Sequence, residues 1–205
     1  MPRPLPSRRP GPAPRARLLH ASLLSAALVL GLAAAAPAAT SRHSDAAGDV
    51  VVQRYDGTPP AVEPDVRNGD LTSLTVRYDD DLLQIAASTR AYRSVLDDYW
   101  IVRVLTSSGD TLVLRYYQEV GPTITVYRNG NRYTCRGTYV GRTRAGLLVR
   151  IPQRCLGPSY RVRVGLLLHA TPDATVDGPR SADDAFRTGR VSGTRSKLGP
   201  WVGRG

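Results

Sequence analysis

Short segments in which apolar and polar residues alternate, each followed by a turn signal, recur from residue 50 to residue 168. In the segment 71–78, Leu74, Val76 and Tyr78 fall on one face, because successive side chains of a strand point to opposite sides. No convincing apolar stripe with the 3.6-residue spacing of a helix interrupts this pattern. The chain is therefore predicted to form an all-β domain.

Turn signals between neighbouring segments predict three hairpins. The turns are Asp79-Asp80-Asp81, Ser107-Ser108-Gly109-Asp110 and Asn129-Gly130. Asn-Gly is the strongest short hairpin signal, because a type I′ turn needs a positive φ at both central residues. Further segments at 147–151 and 160–168 bring the expected total to eight or nine strands. We expect an antiparallel two-sheet β-sandwich, jelly-roll-like, with the alternating apolar residues buried between the sheets.

The N-terminus has the pattern of a secretory signal peptide. Residues 1–17 contain five arginines and no acidic residue, and residues 18–36 are almost wholly apolar. Small residues follow at Ala38, Ala39 and Thr40, so cleavage after one of these three is expected. The alternative is an uncleaved anchor, since about 19 apolar residues just span a bilayer. The leader predicts a secreted or envelope-associated protein without stable membrane insertion after cleavage.

Cleavage at this point leaves about 165 residues, which is enough for one domain with its own core. It also removes five of the 28 basic residues, so that the mature net charge is +6 against 17 acidic residues. We assign residues 1–40 to the signal peptide, 41–171 to the β-sandwich and 172–205 to a polar surface segment. Trp201 is expected to dock back onto the sandwich, beside Phe186, because its ring carries a large apolar area.

Cys135 and Cys155 are the only cysteines, and both lie in the mature part. Export to an oxidising compartment favours a disulfide between them. Closing a loop of this length contributes about 3 kcal/mol. Zinc ligation is the alternative, but no histidine lies near enough to complete a tetrahedral site. If the hairpin turn falls at 141–145, the bond would clasp the open end of that hairpin.

No catalytic residue is predicted. The mature chain has two histidines, His43 and His169, and neither has the spacing of a metal-ligand motif. The chain also lacks a Gly-x-Ser-x-Gly elbow and a glycine-rich loop that leads into a lysine. A non-enzymatic protein is therefore expected, and a hydrolase assembled from distant residues around His169 is the alternative.

Four aspartates, Asp45, Asp49, Asp65 and Asp70, lie in two loop-like stretches rich in glycine and other turn residues. Calcium takes several oxygen ligands from carboxylates and loop carbonyls. The four aspartates are therefore a candidate calcium site that would staple the N-terminus to the sandwich. The alternative is that they only form turns. No other cofactor is predicted.

Arginine and tyrosine are concentrated between residues 127 and 154. The residues are Tyr127, Arg128, Arg132, Tyr133, Arg136, Tyr139, Arg142, Arg144, Arg150 and Arg154. Together they could bind an anionic polymer, or they could form the ordinary solvated face of strands. An envelope polymer is preferred to nucleic acid, because an exported protein meets the envelope first. The sequence carries no signal for an oligomeric state.

Several short stretches resemble those of uncharacterised exported proteins of actinobacteria. They are residues 45–51, Pro64-Asp65-Val66, the strand segment 71–76, Ile151 to Gly157 and Trp201 to Gly205. The architecture of these proteins resembles family 9 carbohydrate-binding modules and DOMON-type domains. The resemblance implies a jelly-roll-like sandwich without enzymatic activity. It supplies neither an aromatic pair for a sugar nor a Met/His pair for haem, since the only methionine is Met1.

These observations favour a secreted, non-enzymatic β-sandwich that binds a carbohydrate or a cell-envelope polymer, through ligand-binding residues that the sequence does not identify. A structural or protein-interaction module without a small ligand is the first alternative. A secreted hydrolase with a dispersed active site is the second.

Overall fold

A computed structural model of the protein describes residues 38–91, 98–118, 121–171, 179–189, 191 and 195–205. These residues fall within one compact unit, Ala36–Gly205. The signal peptide predicted over 1–40 lies outside the described residues as far as Pro37. Within the described ranges, no helix is both long and apolar enough to cross a membrane.

The described residues form fourteen strands and one 3-10 turn at Gln153–Cys155. In chain order the strands are β1 (Ala39–Ser44), β2 (Val51–Gln53), β3 (Ala61–Val62), β4 (Leu71–Tyr78), β5 (Leu82–Thr89), β6 (Tyr99–Thr106), β7 (Thr111–Gln118), β8 (Pro122–Arg128), β9 (Asn131–Arg132), β10 (Tyr139–Arg142), β11 (Gly146–Pro152), β12 (Arg161–Ala170), β13 (Arg180–Asp184) and β14 (Trp201–Gly203).

The strands form two antiparallel sheets. The five-stranded sheet has the order β1-β4-β5-β11-β10. The nine-stranded sheet has the order β3-β2-β13-β12-β6-β7-β8-β9, and β14 also pairs with β12. The predicted all-β, two-sheet sandwich is confirmed. The described part of the chain has more strands than the eight or nine expected. Strands β3, β10 and β14 have only two to four residues, and β1 and β13 consist mainly of polar residues, so neither group shows apolar alternation.

The core lies between the sheets and consists of the alternating apolar residues of the long strands. Leu74, Val76 and Tyr78 of β4 are all buried, as predicted, and each faces a buried residue of β5. Burying one such aliphatic side chain contributes about 1.5–3 kcal/mol. The alternation therefore supplies most of the energy that fixes the register of the sheets.

The predicted turns form as their residues require. Asn129 and Gly130 have φ angles of 52° and 85°, as a type I′ turn between β8 and β9 demands. At the β4–β5 turn, Asp79 Oδ1 accepts hydrogen bonds from the N–H groups of Asp81 (3.1 Å) and Leu82 (2.8 Å). These two hairpins are confirmed, and so is the third, in which β6 pairs with β7 across the turn at 107–110.

The disulfide between Cys135 and Cys155 is present, with the two Cα atoms 5.8 Å apart. Cys135 lies where the chain crosses from β9 to β10, and Cys155 lies where it returns from β11 to β12. The bond therefore clasps the open end of the β10–β11 hairpin, as predicted, and it joins two crossovers between the sheets. The disulfide is compatible with an extracellular protein.

The assignment of 172–205 to a polar surface segment is corrected by the structure. Strand β13 lies inside the nine-stranded sheet, between β2 and β12, and Asp183 and Asp184 are buried there. The segment after it also packs on the sheet, because the N–H of Lys197 donates to Asp184 Oδ2 (2.8 Å). Pairing of the backbone with distant strands outweighs the polar composition of this segment.

The chain end does pair with the sandwich, through β14, but its buried residue is Val202. Trp201 is 40% exposed, because neighbouring residues of a strand face opposite sides. The ring of Phe186 packs against Gly199 and leaves no room for a side chain there. The docking expected of Trp201 is therefore provided by Val202 and Gly199.

We predict that the double variant Cys135→Ser, Cys155→Ser is less stable by about 3 kcal/mol and melts about 6–12 °C lower. The loss follows from the greater freedom of the unfolded chain without the cross-link. Calorimetry of the variant and the wild type measures it. Two reactive thiols in unreduced, denatured wild-type protein would contradict the prediction.

We also predict that truncation after Leu198 lowers the free energy of unfolding by about 1.5–3 kcal/mol, because it removes the buried side chain of Val202. Urea unfolding measures the loss. Trp201→Ala is the matched variant, and it should lower the free energy of unfolding by less, because Trp201 is 40% exposed whereas Val202 is buried. A truncated chain as stable as the full one would show that β14 contributes nothing to the fold.

Candidate metal centre

Two loops and one strand bring three carboxylates together at one end of the sandwich. Asp49 precedes β2, Asp70 precedes β4, and Asp183 lies in β13. One oxygen atom from each residue lies within 4.8 Å of those from the other two. The three residues are 5%, 0% and 1% exposed, respectively. We call these three residues the aspartate trio.

Each loop aspartate follows a glycine in the left-handed region. Gly48 and Gly69 have φ angles of 84° and 85°, a conformation that costs glycine little. At Gly69 an added Cβ would lie 3.0 Å from Ala170 Cβ and 3.1 Å from Ser181 Oγ. The Gly-Asp sequence therefore lets the loop approach β12 and β13 closely enough to insert the carboxylate of Asp70.

Asp183 is placed by the alternation of β13. It pairs with Leu168 of β12 and so shares the inward face with that core residue. Its Oδ2 accepts a hydrogen bond from the N–H of Leu71, the first residue of β4, at 2.6 Å. This bond joins the nine-stranded sheet to the five-stranded sheet.

The loop aspartates have buried oxygens without partners. Asp70 Oδ2 accepts the N–H of Gly48 at 2.9 Å and lies 3.5 Å from Nη1 of Arg90. Among the described residues, Asp70 Oδ1 and both carboxylate oxygens of Asp49 are buried without a hydrogen-bond partner of normal geometry. Native interiors rarely leave such atoms unsatisfied, because each costs about 1–3 kcal/mol.

Asp45 adds a fourth carboxylate beside the trio. Its Oδ1 accepts the N–H of Ala46 at 3.0 Å, and its Oδ2 is buried without a partner within the described part of the chain. Burial, and next the negative charge of Asp49, raise the pKa of Asp45 to about 7. Its protonation is therefore coupled to the charge of the trio.

Burial also raises the pKa of each member of the trio. The pKa of Asp183 rises to about 8, opposed by the N–H of Leu71 and supported by the neighbouring carboxylates. For Asp70, the N–H of Gly48 and the charge of Arg90 oppose the rise in pKa. The pKa of Asp49 is raised by burial and by the charge of Asp70, against the N–H groups of Asp49 itself and Gly189. The trio therefore resists ionisation, because burial removes the carboxylates from water.

The structure brings together two of the four predicted ligands, Asp49 and Asp70, with Asp45 beside them. Asp65 does not belong to the cluster, because its side chain is exposed on the turn after β3. Asp183 was missed, because it lies in the segment assigned to the surface. One signal was available: Phe186, the only phenylalanine of the chain, marks a nearby segment that ought to be partly buried.

The aspartate trio offers oxygen ligands only, which suits a hard cation such as Ca²⁺. Calcium binds its oxygens at about 2.3–2.6 Å, so ligands on opposite sides of one ion lie about 4.6–5.2 Å apart. The separations in the trio, all within 4.8 Å, fit around one such ion.

The two histidines considered for catalysis lie in aromatic contacts. The ring of His43 is 4.3 Å from that of Phe186, and the ring of His169 is 5.6 Å from that of Tyr99. The arginines of the 127–154 segment are divided between the sheets: Arg128 lies in β8, and Arg142 and Arg150 lie in β10 and β11. They do not form one basic face.

No protein family, curated protein or solved structure matches the chain. The resemblance to family 9 carbohydrate-binding modules and DOMON-type domains therefore stays a prediction.

We predict that the cation-free protein loses stability as pH rises. Asp45 and Asp183 have raised pKa values of about 7 and about 8 when folded, against 3.8 for the ordinary carboxyl. The folded state therefore binds protons more tightly, and the free energy of unfolding falls between about pH 4 and pH 8. Thermal melts in chelator across pH 5–8 measure the slope.

Asp183→Asn is the matched variant for this test. The amide oxygen of the asparagine can still accept a hydrogen bond from the N–H of Leu71, but the side chain carries no charge. Its slope should be smaller than that of the wild type. Acids with lowered pKa values, such as Asp56 and Asp110, titrate below this window and do not contribute to it. A melting temperature of the wild type that rises with pH would contradict the prediction.

Proposed function

We propose that this protein is an exported, non-enzymatic binding module whose β-sandwich is locked by a Ca²⁺ ion held between Asp49, Asp70 and Asp183. The observation that carries the proposal is the convergence of three buried carboxylates within 4.8 Å, with unsatisfied oxygens among them. Backbone carbonyls and water would complete the ligand shell, as is usual for calcium.

Electrostatics supports a bound cation. Taking several carboxylates out of water is costly unless positive charge accompanies them. Arg90 is the cation paired with the trio within the described chain, and its Nη1 lies 3.5 Å from Asp70 Oδ2. Ca²⁺ would supply two positive charges where Asp49 and Asp183 face each other, and it would use the oxygens that lack hydrogen bonds.

The position of the trio indicates what the ion would do. Asp49 lies two residues before β2 and Asp70 lies directly before β4, in different sheets, and Asp183 lies on the inward face of β13. One ion bound to all three would therefore fasten both sheets and the N-terminal loop to a single point. That is a structural role, and it fits a module that works outside the cell.

Export is supported by the sequence. The leader pattern of residues 1–36 and the Cys135–Cys155 disulfide both suit an oxidising compartment.

We predict that millimolar Ca²⁺ raises the melting temperature of the chelator-treated protein. At a Ca²⁺ concentration about 100 times the Kd, binding raises the free energy of unfolding by about 2.7 kcal/mol through mass action. For a domain of this size, that gain raises the melting temperature by about 5–11 °C. Asp49→Asn and Asp183→Asn should abolish the shift. Asp65→Asn, which changes an exposed aspartate of the loop that also holds Asp70, should keep it. An unchanged melting temperature in the wild type would refute the proposal.

Terbium luminescence gives an independent readout of the same prediction. Asp183, Leu168 and Trp100 lie side by side on three adjacent strands, so Trp100 is about 10 Å from the trio. Tb³⁺ bound in place of Ca²⁺ should emit when tryptophan is excited, and Ca²⁺ should displace it. The emission should persist in Trp201→Phe and vanish in Asp183→Asn. Emission lost only in Trp201→Phe would place the ion elsewhere.

A further inference from the structure

Two exposed aromatic rings flank one guanidinium group on the outer face of the nine-stranded sheet. Trp201 is 40% exposed and Tyr160 is 59% exposed. Arg161 Cζ lies 4.8 Å from the ring centroid of Trp201 and 5.3 Å from that of Tyr160. Arg163 Cζ lies 5.9 Å from the Trp201 ring. We call these four residues the Trp201 platform.

The platform is held rigidly by the backbone. Val202, next to Trp201, is buried in the core and pairs with Val162 of β12. The guanidinium of Arg163 donates hydrogen bonds to the carbonyl oxygens of Gly199 (2.7 Å) and Leu198 (3.0 Å). A site ordered before binding loses little conformational entropy when a ligand arrives.

The side chain of Arg161 has no carboxylate partner among the described residues. Other arginines are paired within the molecule: Arg128 with Asp110, and Arg142 with Asp98. The two aromatic rings contact the guanidinium of Arg161, and the N–H groups of that guanidinium can donate hydrogen bonds to an oxyanion. A guanidinium presents these donors in a planar fork that matches a carboxylate.

The surrounding sheet face is basic. Strands β6, β7, β12 and β14 contain arginine at positions 103, 115, 161 and 163 and no acidic residue. Their inward neighbours, such as Val102, Leu114 and Val162, are buried core residues. Strand alternation therefore places all four arginines on the outer face. This face is therefore complementary to an anionic ligand.

We propose that the Trp201 platform binds an acidic polysaccharide. The apolar face of a sugar ring would stack on Trp201, and the carboxylate of a uronic acid would accept hydrogen bonds from Arg161. The inference names the ligand of the proposed exported binding module and so depends on that role, but not on the metal centre. Single-stranded nucleic acid also stacks and carries charge. The leader and the disulfide favour the polysaccharide.

The test is binding of the full mature protein to hyaluronate, with dextran as the uncharged polymer and oligo-dT as the nucleic acid, by titration calorimetry. We expect binding to hyaluronate, none to dextran and weaker binding to oligo-dT. Trp201→Ala removes the stacking ring and Arg161→Gln removes the charged donor, and each should weaken hyaluronate binding about tenfold, which corresponds to about 1.4 kcal/mol. Tyr160→Ala removes the other ring of the platform, which is the more exposed of the two, and should also weaken hyaluronate binding.

The matched control is Arg150→Gln. Arg150 is exposed on the five-stranded sheet and lies 6.0 Å from the ring centroid of Tyr139, so its loss removes one charge from a similar pair. It should leave the affinity unchanged. Equal weakening by Arg150→Gln and Arg161→Gln would show binding by net charge and overturn the proposal. No binding to hyaluronate, or tighter binding to oligo-dT, would also overturn it.

The two proposals fail separately. Arg161→Gln and Trp201→Ala should keep the full shift in melting temperature with Ca²⁺, because neither residue belongs to the aspartate trio. If the protein binds hyaluronate but its melting temperature does not respond to Ca²⁺, only the proposed metal centre is overturned. If the melting temperature responds to Ca²⁺ but the protein does not bind hyaluronate, only the proposed role of the Trp201 platform is overturned.

Discussion

The hydrogen bond from the N–H of Leu71 to Asp183 Oδ2 is the contact on which one end of the sandwich depends. It places a carboxylate in the core, between two sheets that are otherwise held together by apolar side chains. Once Asp183 is there, Asp49 and Asp70 lie too close to ionise freely, and burial raises the pKa of each. The Ca²⁺ ion proposed above would supply positive charge at this point, between the two sheets. At the other end, the Tyr78 hydroxyl donates to the carbonyl of Ser159, beside the disulfide.

The features that the sequence predicted correctly are local. Alternation in β4 is set by side chains two residues apart, and the Asn129-Gly130 turn is set by the φ angles of two neighbours. The disulfide also follows from local pairing, because Cys135 and Cys155 flank a single hairpin. Such features depend on the nearest residues of the chain, so a sequence pattern carries nearly all the information that determines them.

The features that the sequence did not predict depend on distant partners. Strand β13 is polar and short, and it is stabilised by pairing with β12 and β2, which nothing in its own composition indicates. The candidate ligands show the same division. A glycine before Asp49 and Asp70 marks both loops, whereas the pairing of β13 with distant strands places Asp183. Trp201 was expected to dock onto the sandwich because of the size of its ring, but the alternation of β14 turns Val202 inward instead.

The pairing of β2 with β13 has a consequence for the order in which the chain folds. These strands are separated by more than a hundred residues, and the nine-stranded sheet stays divided until both are available. Contacts between residues so far apart in sequence form slowly, because the chain between them loses conformational entropy before the contact contributes any stability. A chain that emerges with its N-terminus first, from a ribosome or through a translocation pore, therefore cannot complete this sheet until β13 has followed. Premature folding is delayed by the topology itself.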